Sequence, residues 1–244
     1  GFVTIAALEA TSSSPAQVYC PPMHIEHSYS DLVGGAWLRG NLHAHSTRSD
    51  GRQPQQVVID DYAALGYDFL MLADHDIVTT DDDLAKLDGR GMVLIPGYEI
   101  TANGVHMLHV NSNICIEPLR DRQLVISLAL EVPGSLVIVN HPNWEASFTH
   151  CRHDDLQAWQ GYCGIEIYNG LVDCGEGSAL ATDHWDRLLS RGRRAWGFAN
   201  DDLHDRPHCG AAWNMVYAKQ RTVAGVVDAL AKGRFYASTG VTID

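Results

Sequence analysis

Short apolar runs that end in a histidine, an aspartate or a glutamate recur five times, and this repetition limits the possible folds of the chain. The runs and their polar ends are 37–42 with His43 and His45, 69–72 with Asp74 and His75, 92–95 with Glu99, 136–139 with His141, and 195–198 with Asp202 and His204. Runs of this length are typical of buried strands. One shared polynuclear metal site accounts for all five ends together, whereas a purely structural interpretation needs a separate reason for each.

The first of these ends, residues 41–51, contains the pattern His43-Ala44-His45 followed by Ser49-Asp50-Gly51. Side chains alternate along a strand, so the two imidazoles face the same side. Asp and Gly are typical turn residues, and Gly can take a positive φ. Two imidazoles with a nearby carboxylate suit a divalent metal, although this stretch alone is equally consistent with a solvated polar loop.

Helical patterns lie between the apolar runs. Residues 54–66 begin with proline in the first turn, carry Val58, Tyr62 and Leu65 at helical spacing, and end at Gly66. We interpret Asp81–Asp83 as the N-terminal cap of a short helix rather than a metal cluster, because the helix dipole favours acids there. Alternating strands and helices predict an α/β fold with a parallel sheet. About seven such units favour a barrel, whose active site lies at the carboxyl ends of the strands.

Size and charge narrow the class further. A chain of 244 residues fits one domain of this kind, and we predict a barrel over residues 37–244 after an N-terminal extension, residues 1–36. The formal charge of −13 argues against broad binding to nucleic acid or to anionic membranes. No apolar stretch is long enough to cross a bilayer. We therefore expect a small-molecule substrate, with nucleic acid entering only as a nucleotide. Localisation is undecided: the sequence favours the cytoplasm, and the apolar start leaves a cleaved leader open.

The ordered motifs resemble those of the polymerase-and-histidinol-phosphatase (PHP) superfamily. They are His43-x-His45 with Ser49-Asp50-Gly51, Asp74-His75, Glu99, His141-Pro142 and Asp202-x-His204. Residues 37–43 and 233–240 resemble the branch that includes carbaryl hydrolase. The resemblance implies a distorted seven-stranded (β/α) barrel that holds two or three divalent metal ions, manganese, zinc or iron, and hydrolyses phosphate esters.

The resemblance also implies the metal ligands. They are His43, His45, Asp50, His75, Glu99, His106, His141, Asp202 and His204. Catalysis would use a metal-bound water held by His43, His45, Asp202 and His204. Asp74 is expected to hydrogen-bond a neighbouring histidine instead of binding metal. Asp201 is an alternative to Asp202, and family spacing favours Asp202. Glu166 and Asn169 either line the site or form a strand-end salt bridge or turn.

Other polar residues near the motifs have less definite roles. Arg48, Arg206 and His208 are candidates for gripping an anionic substrate, and each is also consistent with an ordinary surface charge. We expect His150, His153 and His184 to be solvated and Trp144 to serve packing. The sequence contains neither a Gly-x-Ser-x-Gly elbow nor a P-loop, so it gives little support to a serine hydrolase or an NTPase.

Three functions follow from these patterns. The first is a metal-dependent phosphoesterase that hydrolyses a small phosphorylated molecule or nucleotide by metal-activated water. The second is hydrolysis of a carboxylic ester, amide or carbamate at the same site. Because few basic residues lie near the motifs, the sequence leaves this alternative open. The third is a catalytically silent metal-binding domain, against which the completeness of the ligand set argues.

Overall fold

A computed structural model describes Tyr29 and residues 33–243 of the chain. Most of the predicted N-terminal extension, residues 1–36, lies outside the described residues. Within them the strands are β1 (Ala36–Asn41), β2 (Phe69–Met71), β3 (Val93–Ile95), β4 (Gly97–Ile100), β5 (Met107–Val110), β6 (Leu136–Val139), β7 (Gly164–Asn169), β8 (Trp196–Asn200), β9 (Trp213–Ala218) and β10 (Phe235–Ser238). The helices are α1 (Gln55–Ala64), α2 (Asp81–Leu84), α3 (Arg122–Ala129), α4 (His153–Ala158), α5 (Gly170–Asp173), α6 (Thr182–Ser190) and α7 (Val223–Ala231). The predicted α/β class is confirmed.

The strands form two five-stranded sheets, in the orders β10-β9-β1-β2-β3 and β4-β5-β6-β7-β8. The pairs β1–β2, β2–β3, β6–β7 and β7–β8 are parallel. The pairs β1–β9, β9–β10, β4–β5 and β5–β6 are antiparallel. The prediction of a parallel sheet is therefore only half right. Between β4 and β5 the reason is length, because residues 101–106 are too few for the crossover that parallel neighbours need.

Isolated bridges join the two sheets at the carboxyl ends of their strands. Ala44, beyond β1, pairs with Leu203, beyond β8, and His75, beyond β2, pairs with Glu99 on β4. The His45 amide donates to the Leu203 carbonyl across 2.7 Å. We call this line of bridges the seam. It brings the ends of β1, β2, β4 and β8 together, where the sequence places most of the polar residues.

The main core lies between the two sheets. Phe69 from the first sheet and Leu108 and Phe198 from the second are fully buried in one apolar cluster. Helix α1 begins after Pro54 as predicted and buries Val58 and Tyr62. Burial of such side chains is the main force that holds the layers together.

Helix α2 confirms the predicted role of the three aspartates. The Thr80 side chain accepts a hydrogen bond from the Asp83 amide, and the Asp83 side chain accepts from the Thr80 amide. This reciprocal arrangement is a capping box. In the part of the chain that the structure covers, no helix has the length and apolar character needed to span a bilayer.

Candidate metal centre

All nine residues that the sequence suggests as metal ligands lie around one cavity of about 530 Å³ or directly beneath it. His43 and His45 follow β1, His75 follows β2, His141 follows β6, and Asp202 and His204 follow β8. Glu99 lies on β4, His106 precedes β5, and Asp50 lies in the turn after His45. Six of the nine line the cavity, namely Asp50, His75, His106, His141, Asp202 and His204, while His43, His45 and Glu99 are fully buried.

Glu99 lies at the centre of the cluster. Its Oε1 atom is 3.3 Å from His43 Nε2 and 3.4 Å from His141 Nε2. Its Oε2 atom is 2.8 Å from His75 Nδ1 and 3.6 Å from His45 Nε2. One carboxylate therefore faces two groups of imidazoles with its two oxygens. A carboxylate in this position could supply oxygens to metal ions on both sides of it.

Two aspartates extend the cluster on either side of His45. Asp202 Oδ1 lies 3.1 Å from His45 Nε2 and 3.2 Å from His43 Nε2. Asp50 Oδ1 lies 3.3 Å from His204 Nε2, and its Oδ2 lies 3.4 Å from His75 Nε2. Groups of potential ligand atoms close enough to share one ion include His45 with Asp50, His75 and His204, and His43 with Glu99 and His141.

The buried atoms of the cluster fit metal ions. Among the described residues, His43 Nε2, both ring nitrogens of His45, Glu99 Oε2 and Asp202 Oδ1 are buried and, despite the short contacts given above, make no hydrogen bond of suitable geometry. Buried polar atoms are rarely left unpaired, because each costs free energy. Ligand atoms about 2.0–2.2 Å from one ion lie roughly 2.8–3.6 Å from each other at tetrahedral or octahedral angles. Most of the separations given above fall in this range, and the mixed imidazole and carboxylate set suits Mn²⁺, Fe²⁺ or Zn²⁺.

Electrostatics also favour cations in this cluster. Burial opposes protonation of His43, but the carboxylates around it, Asp202 foremost, outweigh burial and raise the pKa of that imidazole well above its ordinary value. Burial opposes protonation of His75 too, yet the carboxylates of Asp50 and Glu99 raise the pKa of His75 to about 10. The carboxylates thus retain protons on His43 and His75 unless another positive charge replaces them. A divalent ion supplies that charge and releases the protons.

A further carboxylate, Glu166 on β7, holds two of the proposed ligands in position by hydrogen bonds. It accepts from His43 Nδ1 at 2.8 Å and from the His141 amide at 3.0 Å. The Asn169 side chain donates to Glu166 at 2.9 Å and to Asp202 at 3.2 Å. With its Nδ1–H bound to Glu166, His43 presents Nε2 to the cluster, which is the usual way in which an outer carboxylate fixes a ligand histidine. Neither residue lines the cavity. Both support the cluster from beneath, and Asn169 also caps α5 by accepting from the Val172 amide at 3.1 Å.

An unusual backbone conformation directs two of the proposed ligands toward the cluster. His141 has a φ of 26° and Asp202 a φ of 51°, both in the left-handed region that residues other than glycine rarely adopt. Such residues cost on the order of 1–3 kcal/mol each and concentrate at functional sites. Each follows the end of a strand and turns its side chain back over the cluster.

Two aspartates beside the ligands have structural roles. Asp74 accepts from the Ser46 amide at 2.8 Å and from the Ser49 hydroxyl at 2.9 Å, so the expectation that it bonds a histidine is wrong. These bonds hold the turn that carries Asp50. Asp201 accepts from the Tyr62 hydroxyl and the Ala212 amide, each at 2.7 Å, on the side of the backbone away from the cluster. Burial raises the pKa of Asp201 to about 6.

The predicted substrate-binding residues are dispersed. His208 lines the cavity. Arg48 lies 3.4 Å from Asp83 Oδ2 and Arg206 2.8 Å from Asp61 Oδ2, and neither guanidinium lines the cavity. Arg52, which the sequence did not single out, does line it and pairs with Asp205 at 2.8 Å. Its position directly after the Ser49-Asp50-Gly51 turn is the sequence feature from which its place at the cavity could have been predicted.

Of the three histidines expected to be solvated, His153 and His184 are buried and His150 is half-buried. His150 lies beside the cluster, where its Nε2 accepts from the His106 amide at 3.0 Å and its ring contacts His141. Burial lowers the pKa of His150 to about 2. His153 and His184 are buried together at another place. Trp144 lines the cavity with Leu171 and Val172, so it forms an apolar wall of the site as well as packing against His141.

No family model matches the sequence. No curated protein matches it either.

Solved structures do share the fold. A two-domain protein from Bacteroides vulgatus, described as containing a predicted PHP-like metal-dependent phosphoesterase, has a TM-score of 0.68 at 22% identity, over 85% of this chain and 66% of that one. A proposed metal-dependent phosphoesterase from Bifidobacterium adolescentis has a TM-score of 0.52 at 16% identity, over 68% and 88%. The lesion-specific endonuclease PfuEndoQ from Pyrococcus furiosus has 0.56 at 15%, over 81% and 56%. The chain spans slightly less than two thirds of the Bacteroides protein.

Proposed function

We propose that the chain belongs to the PHP superfamily and is a metal-dependent phosphoesterase acting on a small phosphorylated molecule or nucleotide. The observation that carries the proposal is the convergence of nine histidine, aspartate and glutamate side chains, several with buried atoms that lack a hydrogen-bond partner among the described residues. The shared fold with PHP-like proteins supports it.

We also propose that the strands form the distorted seven-stranded barrel of that superfamily. Counting β3 and β4 as one strand interrupted at Pro96, ladders connect β4-β5-β6-β7-β8 and β1-β2. The two bridges of the seam then complete the circle, from β8 to β1 and from β2 to β4. On this interpretation β9 and β10 are additions that extend the β1 edge.

The residues of the cluster have distinct tasks in the proposed reaction. Two or three divalent ions, manganese, zinc or iron, would be held by the nine ligands. When bound they would lower the pKa of a water toward about 7, polarise the scissile group and offset its developing charge. Glu166 fixes the ring of His43, and Glu99 and Asp202 supply carboxylate oxygens shared between histidine groups. Arg52 and His208 lie at the cavity wall, where they can bind an anionic group.

A second candidate is hydrolysis of a carboxylic ester, amide or carbamate at the same centre. Trp144, Leu171 and Val172 give the cavity an apolar wall, and the Arg52 charge is already paired with Asp205. Both features suit a neutral substrate with an aromatic group. The resemblance of residues 37–43 and 233–240 to the carbaryl hydrolase branch points the same way.

Matched aryl substrates separate the two candidates. We expect protein loaded with Mn²⁺, Zn²⁺ or Fe²⁺ to hydrolyse an aryl phosphate or phosphodiester with a higher kcat/KM than the corresponding carboxylic ester. Arg52→Gln should lower kcat/KM for the phosphate about tenfold more than for the ester, because it removes a charge-assisted contact to the anion alone. Arg90→Gln, which alters an exposed pair with Asp60, is the control. Arg48→Gln tests the role predicted for Arg48 from the sequence.

Activity on the neutral ester only, unaffected by Arg52→Gln, would reject the phosphoesterase and favour the second candidate. Absence of turnover on every substrate, in protein that holds at least two ions per chain, would favour the silent domain.

A further inference from the structure

A second cleft, of about 510 Å³, lies between α4, α6 and the loop that follows His141. Its walls carry three arginines, Arg152, Arg187 and Arg191, together with His153 and His184. None of the nine proposed metal ligands lines it. The three arginines are exposed and the two histidines buried. The cleft is therefore a separate place on the molecule, and five of its ten lining residues are arginines or histidines.

The arginines of this cleft have no charged or hydrogen-bonding side-chain partner among the described residues. Elsewhere guanidinium groups are commonly paired with carboxylates, as in Arg90 with Asp88 at 2.6 Å and Arg206 with Asp61 at 2.8 Å. Within residues 33–243, Arg152, Arg187 and Arg191 form no ion pair and no side-chain hydrogen bond. The chain has 30 acidic against 17 basic residues, so three unpaired arginines around one cleft are not explained by a shortage of carboxylates.

The two histidines supply a second, independent observation. His153 is 8% exposed and His184 is 6% exposed, and their rings stack with centroids 5.8 Å apart. Neither ring nitrogen of His153 has a hydrogen-bond partner among the described residues, and His184 Nδ1 has none either. Buried nitrogens of this kind are rare without a ligand or water to satisfy them. Burial, together with the nearby arginines, lowers the pKa of His153, and burial lowers that of His184.

Two aspartates also face the cleft, and their charges limit the kind of ligand that can bind there. Asp183 Oδ1 already accepts from the Asn143 side chain at 2.8 Å, and Asp154 lies in the first turn of α4. Three guanidinium groups against two carboxylates leave a small positive excess. That balance, with imidazole N–H donors at the wall, suits a compact oxyanion better than a metal cation, for which the described part of the cleft offers no cluster of three ligand atoms.

We propose that this cleft is a second, non-catalytic binding site for a phosphate group, held by Arg152, Arg187 and Arg191 with imidazole donors from His153 and His184. Planar guanidinium groups bind phosphate oxygens in pairs. A neutral imidazole keeps one N–H that can donate to the same anion. The phosphate can be free or part of a small phosphomonoester, since both present the same oxygens.

Nuclear magnetic resonance of the metal-loaded protein tests the site. The ring signals of His153 and His184, assigned with His153→Gln and His184→Gln, are followed while inorganic phosphate, a small phosphomonoester or sodium chloride at matched ionic strength is added. We expect a saturable shift of both signals with phosphate and none with chloride. A larger affinity for the monoester than for inorganic phosphate would identify an esterified ligand, and the reverse would identify the free ion.

Two charge variants complete the test. Arg187→Gln with Arg191→Gln should weaken phosphate binding at these histidines about tenfold or more, because two charge-assisted contacts are lost. Both arginines are exposed, so the variant should fold. Arg194→Gln, whose guanidinium lies over Trp196 outside the cleft, should leave the affinity unchanged. No shift with phosphate, an equal shift with chloride, or undiminished binding in the double variant would overturn the proposal, whatever the catalytic activity.

Discussion

Asp201 and Asp202 are adjacent in the chain, yet their carboxylates point to opposite sides of the backbone. The positive φ of Asp202 turns its side chain toward His43 and His45. Asp201 instead receives hydrogen bonds from Tyr62, Gly210 and Ala212. One carboxylate therefore belongs to the proposed metal centre and the other holds the loop that supports it.

Substituting each aspartate by asparagine should separate these two roles. Asp201→Asn should lower the free energy of unfolding by about 2–3 kcal/mol, because an amide cannot accept all three hydrogen bonds, and the folded variant should still bind metal. Asp202→Asn should leave the free energy of unfolding of the metal-free protein nearly unchanged but bind metal at least about a hundredfold more weakly, since loss of an outer partner alone commonly costs 10–100-fold. Urea denaturation and metal titration measure the two effects. The same defect in both variants would contradict this assignment.

The turn over residues 46–51 connects β1 to Asp50. The turn must be tight for Asp50 to reach the proposed metal centre. The Gly51 amide donates to the Ser46 carbonyl at 3.0 Å. A Cβ atom at Gly51 would lie 2.6 Å from the His45 carbonyl and 2.7 Å from the Ser46 nitrogen. The φ of Gly51 is not positive. Glycine is therefore required here because the His45 and Ser46 backbone approaches it closely, and not for the positive φ that the sequence suggested.

Gly51→Ala should therefore displace the turn and with it Asp50. We expect a loss of about 1–3 kcal/mol in the free energy of unfolding, typical of overpacking against rigid atoms, and a lower metal content after equal loading. Gly175→Ala is the matched control, because its nearest non-neighbouring atom would be 3.6 Å away. Thermal unfolding and elemental analysis give the comparison. Equal behaviour of the two variants would show that the turn tolerates a side chain.

Seven of the nine proposed ligands follow apolar runs of the sequence, and strand ends converge in α/β folds. Asp50 was suggested by the turn beside His43 and His45, and His106 by the resemblance to the PHP motifs. The sequence predicted the sheet less well. Antiparallel pairs such as β4–β5 depend on the length of one loop and on long-range pairing, which local patterns do not encode. The burial of His153 and His184 and the partial burial of His150 were missed for a related reason. These residues lie in irregular segments and at helix starts, where periodicity carries no information about packing.

Across the whole molecule, the proposed centre lies on the seam between the two sheets. His43, His45 and His75 follow strands of one sheet, whereas Glu99, His141 and Asp202 belong to or follow strands of the other. Only isolated bridges join the sheets along the seam in the described structure. Ions bound by both sets of ligands would add cross-links where hydrogen bonding is sparse.

Removal of metal should accordingly lower global stability. A ligand present at about 100 times its Kd stabilises the native state by about 2.7 kcal/mol, which corresponds to roughly 5–10 °C in Tm for a chain of this size. We expect chelator-treated protein to unfold at a Tm lower by at least this amount, with recovery on adding Mn²⁺ or Zn²⁺. Asp202→Asn should show a smaller difference between the two states. An unchanged Tm after verified metal removal would argue against cross-linking of the sheets.

The left-handed backbone at His141 and Asp202 has a consequence for anyone who wishes to transplant this centre. Copying nine side chains onto an idealised barrel would misdirect at least two of them, because idealised scaffolds avoid positive φ at residues other than glycine. A graft would have to import the loops after β6 and β8 with their hydrogen bonds to Glu166 and Asn169. What must be transferred is therefore the strand ends together with the residues that hydrogen-bond to the ligands. The ligand side chains alone would not be held in position.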